Sequence, residues 1–123
     1  MDRTYTLAQA RALMPALLTR ASELIEVRAN LVELQATLAA GQHSELGGLA
    51  EVKAYQAQFS ELLGWFPEQG LELKGFAPLL LDFPAVEADE PVLLCWLEGE
   101  DELGWYHKLP YGFAGRRRIP AGW

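Results

Sequence analysis

A chain of 123 residues is the length of one domain and can bury a core without disulfide staples. Ten basic against seventeen acidic residues leave a formal charge of −7, which disfavours general attraction to nucleic acid or to an anionic membrane surface. The single cysteine excludes an intrachain disulfide, and no apolar run approaches the roughly 20 residues that span a bilayer. Together with the absence of a signal-like apolar segment in MDRTYTLAQARALMP, these features lead to the expectation of a soluble, cytoplasmic protein from a reducing compartment.

The first half reads as helix. Thr6-Leu7-Ala8-Gln9 fits a capping box, in which the Thr6 hydroxyl accepts from the Gln9 amide and the Gln9 side chain reaches back. Apolar residues then recur at Leu7, Ala10, Met14, Leu17, Ala21, Leu24, Leu31 and Leu38, a three- and four-residue alternation interrupted at Arg28 and Gln35. Pro15 lies inside this pattern and would cost a continuous helix about 3 kcal/mol. The expectation is therefore a short leading helix to about Leu13, a kink, and a long helix to about Ala40. A second row of Leu18, Ile25 and Val32 makes the apolar stripe wider than a two-stranded seam needs. Gly41 to Gly48, GQHSELGG, breaks the pattern and is the turn of a helical hairpin. Leu49 to Gln69 resumes it, with Val52, Tyr55, Phe59, Leu62 and Phe66 inward and Gly70 as the stop. Because a hairpin alone would leave the second row uncovered, that row calls for burial against the sheet or against a second subunit; the preferred expectation is a coiled-coil-like homodimer formed through the helices, and the alternative a monomer in which the sheet covers everything.

The second half reads as a small, mainly antiparallel sheet, which gives an α+β fold: residues 1–70 a helical hairpin, residues 71–123 the sheet and a basic tail, together a single domain. Leu71 to Lys74 alternates as a short strand, and Leu79 to Pro84 is a second, ending at a residue that cannot donate to a ladder. Ala85 to Glu90 is an acidic connection. Val92 to Leu97 is apolar throughout, and Leu103 to Leu109 alternates, with the polar loop Glu98 to Glu102 between them, so the pair forms a β-hairpin. If it pairs symmetrically about Glu100, Cys95 lies opposite Trp105 and diagonal to His107 on one face. Gly112 to Gly115 is too rich in glycine for a regular strand, and Arg116 to Pro120 is a basic tail. The acids Glu87, Asp89, Glu90, Glu98, Glu100, Asp101 and Glu102 precede the cations Lys108, Arg116, Arg117 and Arg118, so the tail is expected to pair with the acidic loops. The arginines also suit a bound phosphate or carboxylate. They lack the interleaved aromatics of a nucleic-acid surface.

Four polar residues, Asp82, Cys95, His107 and Arg116, stand among apolar or glycine-rich neighbours. Three chemistries suit them. Asp82 could orient His107 as a general base with Arg116 holding an anionic substrate. Asp82, Cys95 and His107 could bind a metal, although the closely spaced ligand pairs usual for zinc are absent and His43 lies far off in the helical turn. Cys95 could be a nucleophile activated by His107. Against these stands a structural reading: a buried imidazole satisfied by Asp82 or a backbone carbonyl, an inert buried thiol, and an exposed Arg116. No catalytic residue and no cofactor follow from the sequence. The functional expectation is a non-enzymatic dimeric interaction module or scaffold that takes a protein partner. The alternative is a small anionic-ligand-binding or hydrolase-like protein with a pocket built on Asp82, His107 and Arg116.

The strings LLDFPA (Leu80–Ala85), VLLCW (Val92–Trp96), WYH (Trp105–His107) and GFAGR (Gly112–Arg116) resemble the bacterial family called domain of unknown function 2203. The opening YTLAQARALMPAL (Tyr5–Leu17) and the helical hairpin are similar too. This chain departs from the family pattern at Lys108, where an acid usually follows the histidine, and at Leu79, where glycine is common. The resemblance implies a fold and a small cytoplasmic bacterial protein, and it supplies no activity.

Overall fold

The computed structural model describes residues 3–123. Two helices, α1 (Leu7–Ala39) and α2 (Leu49–Glu68), precede five strands: β1 (Glu72–Phe76), β2 (Leu79–Glu87), β3 (Glu90–Leu97), β4 (Trp105–Lys108) and β5 (Arg117–Arg118). A turn of 3-10 helix, Phe113–Gly115, separates the last two strands. The strands form one antiparallel meander in the order β1-β2-β3-β4-β5. The α+β class, the helical hairpin and the antiparallel sheet are those read from the sequence. No helix is long and apolar enough to cross a membrane among the described residues.

The chain divides into two compact units, one of residues 3–18 with Phe66–Trp123 and one of Thr19–Trp65. In the first unit the capping box at the start of α1 is made as expected. The Thr6 amide donates to Gln9 Oε1 at 3.0 Å and the Gln9 amide to Thr6 Oγ1 at 3.1 Å. The break at Pro15 is not made: one helix runs from Leu7 to Ala39 with Pro15 inside it. Pro15 is exposed while Met14 and Leu17 beside it are buried, and breaking the helix would put that row out of phase. The α2 stop at Gly70 holds. Its φ is 83°, the Leu71 amide donates to Phe66 O at 3.2 Å and the Gly70 amide to Pro67 O at 2.9 Å, which is a Schellman closure.

In the second unit the buried row beyond Leu24 is shifted by one position from the expected heptad, with Val27 and Leu34 in it in place of Leu31 and Leu38. Leu31 and Leu38 are half-buried. The seam thus shifts by one position at Val27. Arg28 and Gln35 then fall beside the seam rather than in it, and they interrupt nothing. Few side chains close this unit: Ala21, Leu24, Val27, Leu34 and Leu62, together with Ser44 of the turn.

The sheet departs from the expected strands in three ways. Strand β1 begins one residue later and runs to Phe76, with a register irregularity between Leu73 and Gly75. Strand β2 does not end at Pro84 but continues to Glu87, and the acidic connection is a two-residue turn at Ala88 and Asp89, both in the left-handed region. Pro84 is tolerated because its polar edge faces away from β3, past the end of β1; there its carbonyl accepts from the Tyr5 amide at 2.7 Å. Third, Arg117 and Arg118 form an unanticipated edge strand on Trp105 and Tyr106. The β3–β4 register is the one symmetric pairing predicts, with Cys95 opposite Trp105 and Leu93 opposite His107.

Register divides the sheet into two faces. Leu79, Leu81, Phe83, Ala85, Val92, Leu94 and Trp96 share one, nearly all of it withdrawn from solvent. Tyr5 lies against Phe83 edge-to-face, with ring centroids 5.2 Å apart, and its hydroxyl donates to Gln69 O. On the other face lie Asp82, Cys95, Trp105 and His107.

Candidate functional site

Strands β2, β3 and β4 set Asp82, Cys95 and His107 side by side. Asp82 and Cys95 are cross-strand partners, and His107 follows Trp105, the partner of Cys95, by two residues. One donor atom from each residue lies within 4.8 Å of the other two. Asp82 and His107 are each only 2% exposed. Nε2 of His107 faces Asp82 Oδ2 at 3.1 Å, and its Nδ1 faces the carbonyl of Lys108 at 3.0 Å. The other carboxylate oxygen, Asp82 Oδ1, is buried and makes no hydrogen bond. Burial pushes the Cys95 thiol up from 9.0 to about 12, and the charge of Asp82 adds to that shift while Arg116 opposes it.

Arg116 joins the cluster from the chain segment after β4. The expected exposed tail residue is instead 12% exposed at its side chain. Its Nη2 donates to Glu100 Oε1 at 2.7 Å and to the Cys95 carbonyl at 3.2 Å, while its Nε, also buried, has no partner. The guanidinium lies 4.9 Å from the Trp105 ring centroid and 5.0 Å from that of Phe113. The 3-10 turn that carries Phe113 holds it there, the Arg116 amide donating to Phe113 O at 3.1 Å.

The acidic loop is organised inward, which sequence reasoning missed. Glu100 Oε1 also accepts from the Leu97 amide at 2.7 Å, and the Glu100 carbonyl accepts from Trp96 Nε1 at 2.9 Å. Glu98 Oε1 accepts from the Leu79 amide at 2.9 Å. A run of acids beside Gly99 looks like a solvated loop; the usable signal was the excess of cations after it, which need counter-charges. The expectation that the tail pairs with those acids is met at Arg116–Glu100.

The arrangement narrows the chemistry. A general base needs a nitrogen open to a proton source or substrate, and both His107 nitrogens face protein groups at a closed position. A nucleophilic thiol needs a depressed pKa, and that of Cys95 is raised. The shallow apolar depression of about 530 Å3 that includes Pro78, Leu80, Leu97 and Phe113 is lined by none of Asp82, Cys95 and His107. His43 is exposed in the turn between the helices and contributes nothing here.

The model of an uncharacterized conserved protein family, DUF2203, matches residues 3–119. The chain belongs to the DUF2203 family. No curated protein and no solved structure matches it. Membership agrees with the resemblance carried by the LLDFPA, VLLCW, WYH and GFAGR strings of this DUF2203 chain. Those strings supply Asp82, Cys95, His107 and Arg116, so one cluster of side chains draws on all four.

Proposed function

We propose that this DUF2203 protein is a non-enzymatic interaction module that works as a homodimer, the second copy docking on the helical hairpin. What carries the reading is the exposure of apolar side chains on that hairpin. Val32 is 61% exposed and Leu49 77%, while Leu18, Ile25, Tyr55 and Phe59 are only half-buried. Two helices packed together share a single interface, so a stripe wider than that interface stays wet until something else covers it. A second copy suits the surface. Leu18, Ile25 and Val32 repeat at seven-residue intervals along one helix, and an identical row related by a two-fold axis is complementary to it by construction.

The substitution Val32→Glu tests this with little risk to folding, since an exposed position tolerates a charge within about 0.5 kcal/mol. Sedimentation velocity should give a dimer for the natural chain and a folded monomer for Val32→Glu. A monomer in both cases, or a dimer in both, would leave the hairpin without this role.

A small-anion-binding or hydrolase-like role has one observation in its favour, the convergence of Asp82, His107 and Arg116 around Cys95. It ranks second, because the guanidinium is already bonded to Glu100 and to the Cys95 carbonyl and the cluster is closed to solvent. Arg116→Ala and His107→Ala chains that keep full stability would raise it to first.

A further inference from the structure

The hydrogen-bond geometry of His107 poses a specific problem. The Lys108 carbonyl can only accept, so the nitrogen facing it, Nδ1, carries the proton of a neutral imidazole. Nε2 then faces Asp82 Oδ2 at 3.1 Å in a buried place. Something positive must lie between them, either an additional proton or a metal cation. Two further observations favour the cation. Asp82 Oδ1 is buried without a partner, and a proton on the imidazole leaves it so. The Cys95 donor atom also lies within the same 4.8 Å group, so a third ligand for a single ion is already beside the other two.

We propose that Asp82, Cys95 and His107 form a binding site for one divalent cation of borderline softness, of the Zn2+ class. A carboxylate, a thiolate and a neutral imidazole are a ligand set of that class, and donor atoms on one tetrahedral ion stand roughly 3.3–3.7 Å apart. Nε2 and Oδ2 already stand 3.1 Å apart, and the group as a whole, within 4.8 Å, closes by up to about 1 Å to reach that. The Nδ1–H to Lys108 carbonyl bond is the outer contact that fixes the tautomer and turns Nε2 toward the metal. Charge balances as well. Binding releases the thiol proton to solvent, the carboxylate and thiolate then offset a 2+ ion, and the neighbouring Arg116 charge is already matched by Glu100 at 2.7 Å. The site is independent of the dimer proposed above.

Cobalt(II) is the probe. The full chain is produced in Co2+-supplemented medium, purified without chelator, and examined by elemental analysis and absorption. One Co2+ per chain is expected, with intense visible bands of a tetrahedral ion and a near-ultraviolet thiolate-to-cobalt band. Because Cys95 is the chain's single cysteine, that band assigns the ligand even where Cys95→Ser fails to fold. Where the variants fold, Cys95→Ser removes the band, His107→Ala shifts the visible bands, and His43→Ala changes neither. A folded natural chain with no Co2+ above the buffer level overturns the proposal. So does bound Co2+ with the pale spectrum of an oxygen-ligated surface ion, or a His43→Ala spectrum that loses the bands.

Discussion

In the unit of residues 3–18 and Phe66–Trp123, Leu79, Leu81, Phe83, Leu94 and Trp96 are closed to solvent, and even the polar side chains of the opposite sheet face are buried. In the unit of Thr19–Trp65 a comparable density of apolar residues leaves Val32 and Leu49 in water and most of the others half-covered. The difference lies in layers. A sheet has two faces: here the apolar one is covered, and the polar one is covered around Cys95 and Trp105 by the chain that follows β4. A pair of helices has one interface and several outer faces. The sheet unit holds unsatisfied polarity inside, at Asp82 Oδ1 and Arg116 Nε, and its exposed apolar side chains, Phe76, Val86, Leu109, Tyr111 and Phe113, stand at strand ends and after β4; the hairpin exposes apolar surface along the helices themselves, at Val32 and Leu49. The proposed cation would meet the first at Asp82, and the proposed second copy would cover Val32.

The largest expected effect lies in the sheet core. Phe83→Ala removes a fully buried ring that meets Tyr5 edge-to-face, and urea denaturation should show a loss of about 3–5 kcal/mol. A loss below about 1 kcal/mol would mean that this core is as loosely closed as the hairpin, and the contrast would fail.

Next comes the polar face. His107→Ala leaves Asp82 without its contact in a buried position, and a loss of about 1–3 kcal/mol should lower the melting temperature by several degrees. Arg116→Ala, which an exposed tail residue would tolerate, should destabilise too. It leaves Glu100 without its cation, removes a donor from the Cys95 carbonyl and uncovers Trp105. An unchanged melting temperature in either variant removes that residue from the buried network.

These two variants also mark where the sequence was legible. Alternation and hairpin length fixed the β3–β4 pairing, so the adjacency of Cys95 and His107 followed from counting residues about Glu100. Asp82 could be placed near them once its strand was recognised. The pairing of the tail with the acidic loop could be read, but the burial of Arg116 could not, because a tail's course depends on long-range pairings such as Ile119 with the Gly104 carbonyl. Proline misled twice for the same reason. The cost at Pro15 and Pro84 is real, but Pro15 lies on the exposed side of α1 and the edge of Pro84 that lacks an N–H faces away from β3, so neither ends its element. The step of the helical seam to Val27 is a tertiary choice between adjacent apolar positions, Val27 and the expected Leu31 and Leu38 row, that periodicity alone leaves undecided.

A smaller effect concerns Cys95 in the metal-free chain. Its folded thiol is raised by burial from 9.0 to about 12, so the folded state holds the proton more tightly than the unfolded state. The resulting stabilisation is complete below about pH 9 and is lost as pH rises toward 12. The pH dependence of unfolding between these values should be shallower in Cys95→Ala than in the natural chain, by up to one proton. At neutral pH a thiol reagent should label Cys95 only once denaturant is added. Rapid labelling of folded protein would show that the polar face opens.

The contrast between a closed sheet unit and an open hairpin is tested most directly by the mass of the natural chain in solution. Multi-angle light scattering across a dilution series from the micromolar range should report twice the 13.7 kDa chain mass. A constant mass of 13.7 kDa throughout would show that the hairpin tolerates its exposed apolar rows alone, and the self-association at the centre of this account would be wrong.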